Sequence, residues 1–336
     1  MSSYQTEKKL VLEFYHELDN SDNDEHFKII DKYFSEKYLW RGFHPFNEIN
    51  SPEALFERFW IPFKHSMSRV QRRMDIFMAG SNSLLAGGVW VVSMGHLMGL
   101  FDRSWLGILP TRKMAFLRYC EFNRIENNKI VETAMYFDIP HLMTQAGMPP
   151  FQSQTAAHLV QPGPLTHDGL LFEPQNETET KKTLDAINFM VADIKDWTGG
   201  REEPLEKELA RSWNDDMIWW GPEGIGATYT IERYAKQHSG PFRKGFDKRI
   251  FNGHICRMSE GFFGGFFGWP NLTLRPTGGF MGMPEFEKSA DMRVIDIYRR
   301  NGEKLTENWI FIDLLHFWNQ LGVDFLAKAI SEKKIT

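Results

Sequence analysis

Two aspartates and two histidines recur at matching places in the two halves of the chain. Asp138 and Asp313 each follow an apolar, strand-like segment, and His141 and His316 come three residues later, at the start of a short helical stretch. This spacing puts a carboxyl group and an imidazole within about one helical turn of each other. Proteins use both groups for proton transfer, so the pattern indicates general acid/base chemistry.

The same four residues have a second interpretation that is purely structural. An aspartate directly before a helix often caps it, because its side chain accepts hydrogen bonds from backbone N–H groups, and Pro140 in the first turn fits a helix start. His141 and His316 either orient a substrate carbonyl and shuttle the proton, or lie exposed on the first turn. The residues alone leave both interpretations open.

Aromatic and imidazole side chains are candidates for the wall of a binding pocket. The candidates are Trp40 and His44 in the first half, and Trp220, His238 and His254 in the second. His254 falls in a predicted strand over 250–258, where alternation directs its side chain either to the pocket or to solvent. Aromatic residues make up 14% of the chain, which fits a flat ligand and fits core packing equally well.

The sequence of the elements around these residues occurs twice in the chain. Trp40 aligns with Trp219 at an offset of 179 residues, and Asp138 aligns with Asp313 at an offset of 175, because the first half has four extra residues between Gly99 and Gly107. Register holds on both sides of this single insertion, so the sequence predicts one domain repeated in tandem. We expect domains at 1–150 and 179–336, joined by a linker over 151–178.

The sequence of each half predicts that helices come first and antiparallel strands follow. Ser51 and Pro52 have the types expected at a helix start, and the turns at 126–129 and 300–303 join the last two strands of each half into a hairpin. This order is typical of an α+β domain, in which a bent sheet wraps over a helix layer and encloses a pocket.

Composition narrows the classes of protein. Charged residues are 25% of the chain and the formal net charge is −5, which predicts neither a nucleic-acid partner nor an anionic membrane surface. No apolar run reaches the ~18 residues of a membrane-spanning helix, and we expect a cytoplasmic protein. With only Cys120 and Cys256, a disulfide framework or a cysteine-rich metal site is not expected.

The order of elements, together with Gly282-Met283-Pro284, the segment 292–299 and Glu307-Asn308-Trp309 before Asp313, resembles the SnoaL-like polyketide cyclase family of the NTF2-like superfold. The first half carries Gly95-His96 with Gly99, and Asp138 with Gln145-Ala146-Gly147. The resemblance covers nearly the whole chain, once in each half. It implies two tandem cone-shaped α+β barrels, in which helices pack on a strongly curved, mostly antiparallel sheet.

The resemblance also implies a role for particular residues. Asp313 and Asp138 match the family's general acid/base, which works without metal or cofactor, and His96 and Trp309 match positions near its substrate. The halves differ here, because Arg275 replaces the histidine in the second half and Thr133-Ala134 replaces Asn308-Trp309 in the first.

The expected function is cofactor-free cyclisation or isomerisation of a hydrophobic carbonyl substrate. The alternative is a noncatalytic ligand-binding or scaffold protein, because one fold hosts many functions. We expect the two halves to pair within the chain, with a homodimer as a further option.

Overall fold

The computed structural model describes residues 3–21, 25–84, 87–151, 154–158, 160–195 and 203–333. The chain forms two compact units. Unit 1 consists of residues 1–150, 165–174 and 326–336, and unit 2 consists of residues 151–164 and 175–325. The segment predicted as a linker is therefore divided between the two units.

Unit 1 begins with two helices and continues into a six-stranded sheet. Its helices are α1 (Gln5–Asn20), α2 (His26–Tyr33), α3 (Pro52–Leu55), α4 (Ile61–Ser66) and α5 (Ile139–Gln145), with a π-helical turn at Phe56–Trp60 between α3 and α4. Its strands are β1 (Phe34–Gly42), β2 (Asn47–Ile49), β3 (Met67–Ser81), β4 (Val89–Phe101), β5 (Met114–Glu126) and β6 (Lys129–Phe137). They lie in the order β2-β1-β6-β5-β4-β3, and only the β1–β6 pair is parallel.

Unit 2 repeats this order of strands with one difference. Its helices are α6 (Glu177–Ile194), α7 (Leu205–Ser212), α8 (Ile231–Tyr234), α9 (Gly240–Gly245) and α10 (Leu314–Gln320), with a π-helical turn at Ala235–Ser239 and a 3-10 turn at Phe280–Gly282. The last helix, α11 (Phe325–Lys333), belongs to unit 1 except for its first residue. Its strands are β7 (Trp213–Trp220), β8 (Ala227–Tyr229), β9 (Phe246–Phe251), β10 (Cys256–Glu260), β11 (Phe263–Pro276), β12 (Ala290–Asn301) and β13 (Lys304–Ile312). The sheet runs β10-β11-β12-β13-β7-β8, and β9 also pairs with β11.

These sheets confirm the predicted α+β class. All strand pairs except β1–β6 and β13–β7 are antiparallel, and register shifts interrupt long ladders, as between Gly268 and Leu272 on β11. Such bulges bend a strand and increase its twist, which lets a sheet curve over the helices on its concave face.

The π-helical turns have a local cause in the sequence. Pro62 and Pro241 stand near the start of α4 and α9, directly after the π-helical turns. A proline inside a helix has no N–H to donate, and its ring crowds the carbonyl one turn earlier, so the helix widens before it. In unit 2 this widened turn carries His238.

Two predictions about strands are corrected by the structure. The predicted strand over 250–258 is two strands, because β9 ends at Phe251 and β10 begins at Cys256. His254 therefore lies in the link between them, after Gly253, whose φ of 95° suits glycine. The alternation predicted for the His254 side chain is also wrong, because this residue belongs to neither strand.

The structure also bears on membrane insertion. Within the part of the chain that the structure describes, no helix is long and apolar enough to cross a membrane.

Candidate functional site

Asp138 and Asp313 both cap helices. In each case the Oδ1 atom accepts a hydrogen bond from the backbone N–H three residues later, His141 in one unit and His316 in the other, at 3.1 Å. Asp313 is fully buried, and its Oδ2 lies 3.7 Å from an Arg293 nitrogen. The geometry thus gives both aspartates the capping role that the sequence left open, and their catalytic role stays a prediction.

The other predicted residues of unit 1 lie in three different surroundings. Trp40 is buried in the core against Phe59, with ring centroids 5.2 Å apart. His44 is half-buried in the turn between β1 and β2. His96 is buried on β4, and its Nδ1 is 3.4 Å from a carboxylate oxygen of Asp75.

Unit 2 contains a cavity of about 170 Å³. His238 and His254 line it, whereas Trp220, Trp309, Asp313 and His316 are not among its lining residues. Trp309 is buried on β13, where its indole N–H donates to the carbonyl of Pro162 at 3.0 Å. Most of the remaining wall is aromatic and aliphatic, with Trp213, Trp219, Tyr234, Phe242, Phe251, Phe266, Met190, Leu209, Leu272, Met292 and Val294. Lys195, Ser239, Arg243, Arg249 and Asn271 also line the cavity, and Arg243 forms an ion pair with Glu208.

Asp296 supplies the cavity's one carboxyl group among the lining residues, and sequence reasoning missed it. The side chain on β12 is buried, and Oδ1 accepts a hydrogen bond from Asn308 Nδ2 at 3.0 Å. The Tyr298 hydroxyl donates a second hydrogen bond to the carboxylate. Burial raises the pKa of Asp296 to about 7, against the opposing effect of these two hydrogen bonds. The group therefore exists in both protonation states near neutral pH.

Strand alternation explains why these groups meet. Asp296 and Tyr298 are two residues apart on β12, and Asn308 lies opposite Tyr298 on β13. Residues two apart on a strand, and residues directly opposite on its neighbour, share one face of the sheet. That face lines the cavity.

Two neutral imidazoles also line the cavity. His238 stacks on Trp219 with ring centroids 3.9 Å apart, and burial lowers its pKa to about 3. His254 stacks on Phe266 at 3.8 Å, and its pKa is lowered to about 3, mainly by burial and secondly by the charge of Arg257. At neutral pH both rings are uncharged. In each ring one nitrogen can then donate a hydrogen bond and the other can accept one.

Unit 1 uses the corresponding acid differently. At the offset of 175 residues Glu121 corresponds to Asp296, and it is buried beside Arg72, 3.3 Å from Arg72 Nη1. The Tyr15 hydroxyl donates to Glu121 at 2.7 Å, and the guanidinium of Arg72 lies over the Tyr15 ring at 3.9 Å. This acid is therefore part of a packed ion-pair network.

The first-half insertion adds an aromatic side chain to the core of unit 1. Trp105 belongs to the extra residues, is buried, and packs against an aromatic cluster that contains Phe46, Phe59, Phe63 and Phe137. The ring centroids of Trp105 and Phe63 are 5.2 Å apart. Unit 2 lacks the insertion, which helps to explain why its interior keeps a cavity.

One signal in the sequence could have identified Asp296. At the offset of 179 residues Arg72 aligns with Phe251, so the second half keeps an acid on the inner strand but has no arginine at the position equivalent to Arg72. An acid on a buried strand without a cation has a raised pKa, which is a common property of functional sites. The comparison of the two halves, rather than either half alone, contains this information.

The arrangement suits a small apolar ligand with a polar oxygen. A cavity of about 170 Å³ is comparable to the ~150 Å³ apolar cavity that holds a benzene molecule in another protein. Asp296, Tyr298, Asn308 and the two histidines offer donors and acceptors on a largely apolar wall, which also includes Lys195, Arg243 and Arg249. Among the described lining residues, no three His, Cys, Asp or Glu side chains come close enough together to hold a metal ion.

Comparisons with known proteins give similarities to solved structures only. No protein-family model matches the chain, and no curated protein matches it. A protein from Jannaschia sp. CCS1, which is described as a SnoaL-like polyketide cyclase, is 17% identical in sequence to this chain, with a TM-score of 0.36. The match covers 45% of this chain and 99% of that one.

Two NTF2-like proteins are similar to a comparable extent. The one from Burkholderia xenovorans LB400 is 12% identical with a TM-score of 0.32, covering 42% of this chain and 97% of that one. The one from Anabaena variabilis ATCC 29413 is 18% identical with a TM-score of 0.31, covering 39% and 89%. The family and the superfold that the sequence resembles are thus among the descriptions of the matched structures. At these sequence identities and TM-scores the matches do not indicate an activity.

Proposed function

We propose that unit 2 catalyses cofactor-free proton transfer at the carbon next to the carbonyl group of a small hydrophobic ketone, with Asp296 as the general acid/base. The observation that carries this proposal is a buried carboxyl group with a pKa of about 7, hydrogen-bonded to Asn308 and Tyr298 inside a cavity whose wall is largely apolar. A general base is most effective when its pKa is close to the working pH.

The proposed step is the removal and return of one proton. Ionised Asp296 takes a proton from the α-carbon, the C–H electron pair forms the new C=C bond, and the carbonyl electron pair moves to oxygen. Returning the proton to the same carbon gives exchange, and returning it elsewhere gives isomerisation. Attack of the enolate carbon on a second carbonyl of the same molecule gives the cyclisation predicted from the sequence.

Deuterium exchange tests the proposal without knowledge of the natural substrate. The full chain is incubated with cyclohexanone or indan-1-one in D₂O, and loss of the α-proton signals is followed by ¹H NMR. We expect Asp296→Asn to slow the protein-dependent exchange by at least about 10²-fold, because a positioned general base contributes 10²- to 10⁴-fold.

Asp291→Asn is the matched control. Asp291 lies on the same strand and is not among the cavity's lining residues, and its Oδ1 accepts a hydrogen bond from the Thr273 hydroxyl at 2.6 Å. We expect this variant to exchange like the parent. If Asp296→Asn also exchanged like the parent, the acid/base role would be wrong; if the parent bound these ketones without exchange, a ligand-binding protein would be the better description.

A further inference from the structure

His254 and Asp296 border the same part of the cavity. The His254 ring lies over Phe266, with an angle of 10° between the ring planes. Phe266 is directly opposite Asp296 in the β11–β12 ladder, and opposite residues of an antiparallel pair have side chains on the same face. The imidazole and the carboxyl group are therefore separated by about one side chain.

Arg257 determines which nitrogen of His254 carries the proton. Its Nη2 and Nε lie 2.9 and 3.3 Å from His254 Nδ1, and its Nη1 donates to Asn188 Oδ1 at 2.7 Å, which anchors the guanidinium. A guanidinium has donors only, so Nδ1 must accept. In a neutral imidazole the proton is then on Nε2.

The Nε2 atom is available to a ligand. His254 lines the cavity, and within the described chain Nε2 has no hydrogen-bond partner. The ring stays neutral at ordinary pH, because burial and the nearby arginine lower its pKa to about 3. A neutral imidazole whose second nitrogen is held by a hydrogen bond can polarise a carbonyl group in an active site.

We propose that Arg257 is a positioning residue that holds His254 as the Nε2–H tautomer, and that Nε2–H donates a hydrogen bond to the carbonyl oxygen of the ligand. This inference rests on the proposed function. While Asp296 takes the α-proton, negative charge develops on the carbonyl oxygen, and the Nε2–H donor stabilises it without losing its proton. Arg257 itself does not contact the ligand in this proposal.

The tautomer can be tested independently of activity. The full chain is labelled with [¹⁵N]histidine, long-range ¹H–¹⁵N correlation spectra are recorded, and the His254 signals are assigned by their loss in His254→Leu. We expect the pattern of a neutral Nε2–H ring from pH 5 to 8 in the parent, and a mixture of tautomers in Arg257→Met. A parent ring with its proton on Nδ1, or a charged ring in this range, would overturn the proposal.

The catalytic consequence is measured by the deuterium exchange assay. Removing one donor to a developing oxyanion costs about 10²- to 10³-fold in kcat, so we expect a loss of this size in His254→Leu. Arg257→Met should lower kcat by about tenfold with little change in KM, because the donor is then only partly in place. Arg257→Lys should recover part of this loss, since lysine also donates to Nδ1, and Lys248→Met, an exposed change on β9, is the control.

The results separate this inference from the proposed function. If the parent catalyses exchange and Asp296→Asn does not, yet His254→Leu exchanges like the parent, the role of His254 is wrong while that of Asp296 stands. If the parent catalyses no exchange, the proposed function fails, and the tautomer spectra still decide whether Arg257 sets the protonation site of His254.

Discussion

Asp296 and Glu121 are both buried acids on the equivalent inner strand, and they differ in what neutralises them. Glu121 has Arg72 at 3.3 Å, whereas Asp296 accepts its hydrogen bonds from the uncharged side chains of Asn308 and Tyr298. A buried carboxylate without a cation gains a proton more readily, because the apolar surroundings penalise its charged form. The protonation state of Asp296 is therefore linked to folding.

The first prediction follows from the sign of this shift. The pKa of Asp296 is raised from 3.8 to about 7, so between these values the folded state holds a proton that the unfolded state has lost. The free energy of unfolding therefore falls as pH rises from about 4 to about 7, by up to about 4 kcal/mol from this group alone. Asp296→Asn removes this contribution.

Urea denaturation of the parent and Asp296→Asn at pH values from 4 to 8 measures the difference directly. We expect the variant to gain stability relative to the parent as the pH rises from about 4 to about 7, and the difference between the two proteins to be constant above that range. A difference between the two proteins that does not change with pH would show that Asp296 ionises normally in the folded state.

At the scale of elements, the strand-to-helix junctions are built around aspartate caps. Asp313 closes the first turn of α10 by accepting the His316 N–H, and the same bond occurs at α5. We predict that Asp313→Ala lowers the free energy of unfolding by about 1 kcal/mol more than Asp313→Asn, because asparagine also caps helices well. Thermal and urea denaturation of the two variants provide the measurement.

The same pair of variants tests the catalytic prediction for this residue. If Asp313 serves only as a cap, Asp313→Asn keeps the ketone exchange rate of the parent. A loss of exchange in the well-folded Asp313→Asn protein would restore the role that the sequence predicted for it.

The insertion between Gly99 and Gly107 has a structural effect that can be tested separately. Trp105 is buried among phenylalanine rings in unit 1. Trp105→Ala should cost about 3 to 5 kcal/mol of stability, the usual range for removing a buried aromatic side chain, because the rings around it cannot fully close the space. Asp296-dependent exchange should persist below the unfolding transition, and its loss there would contradict this separation.

Strand order, hairpins and the start of α3 follow from local signals, and the structure agrees with them. Ser51 accepts the Ala54 N–H at 3.1 Å, and Glu126 pairs with Lys129 at the predicted hairpin. The site is harder to predict because it depends on distant pairs. Alternation places Asp296 and Tyr298 on one face, but the residues that surround the carboxyl group, such as Phe251, come from other strands.

At the scale of the whole molecule, one architecture carries two different interiors. Both units have the same strand order and an acid on the equivalent strand, yet one interior contains a buried arginine and the other contains a cavity bordered by Phe251. Arg72 against Phe251 is the difference that decides whether the acid has a cation at this equivalent position. Exchanging these residues is therefore the most direct test of the whole scheme.

We predict that Phe251→Arg places a guanidinium next to Asp296, lowers the pKa of that carboxyl group and fills part of the cavity. Ketone exchange at pH 7 should then fall at least about tenfold, since a carboxylate with a lower pKa is a weaker base and the ligand has less room. Ile250→Arg is the matched control, because Ile250 is the neighbouring residue on β9 and is 57% exposed. The reverse change, Arg72→Phe, should cost about 3 to 5 kcal/mol, because it leaves Glu121 buried without its cation. Equal exchange rates in Phe251→Arg and Ile250→Arg would show that this position does not control Asp296.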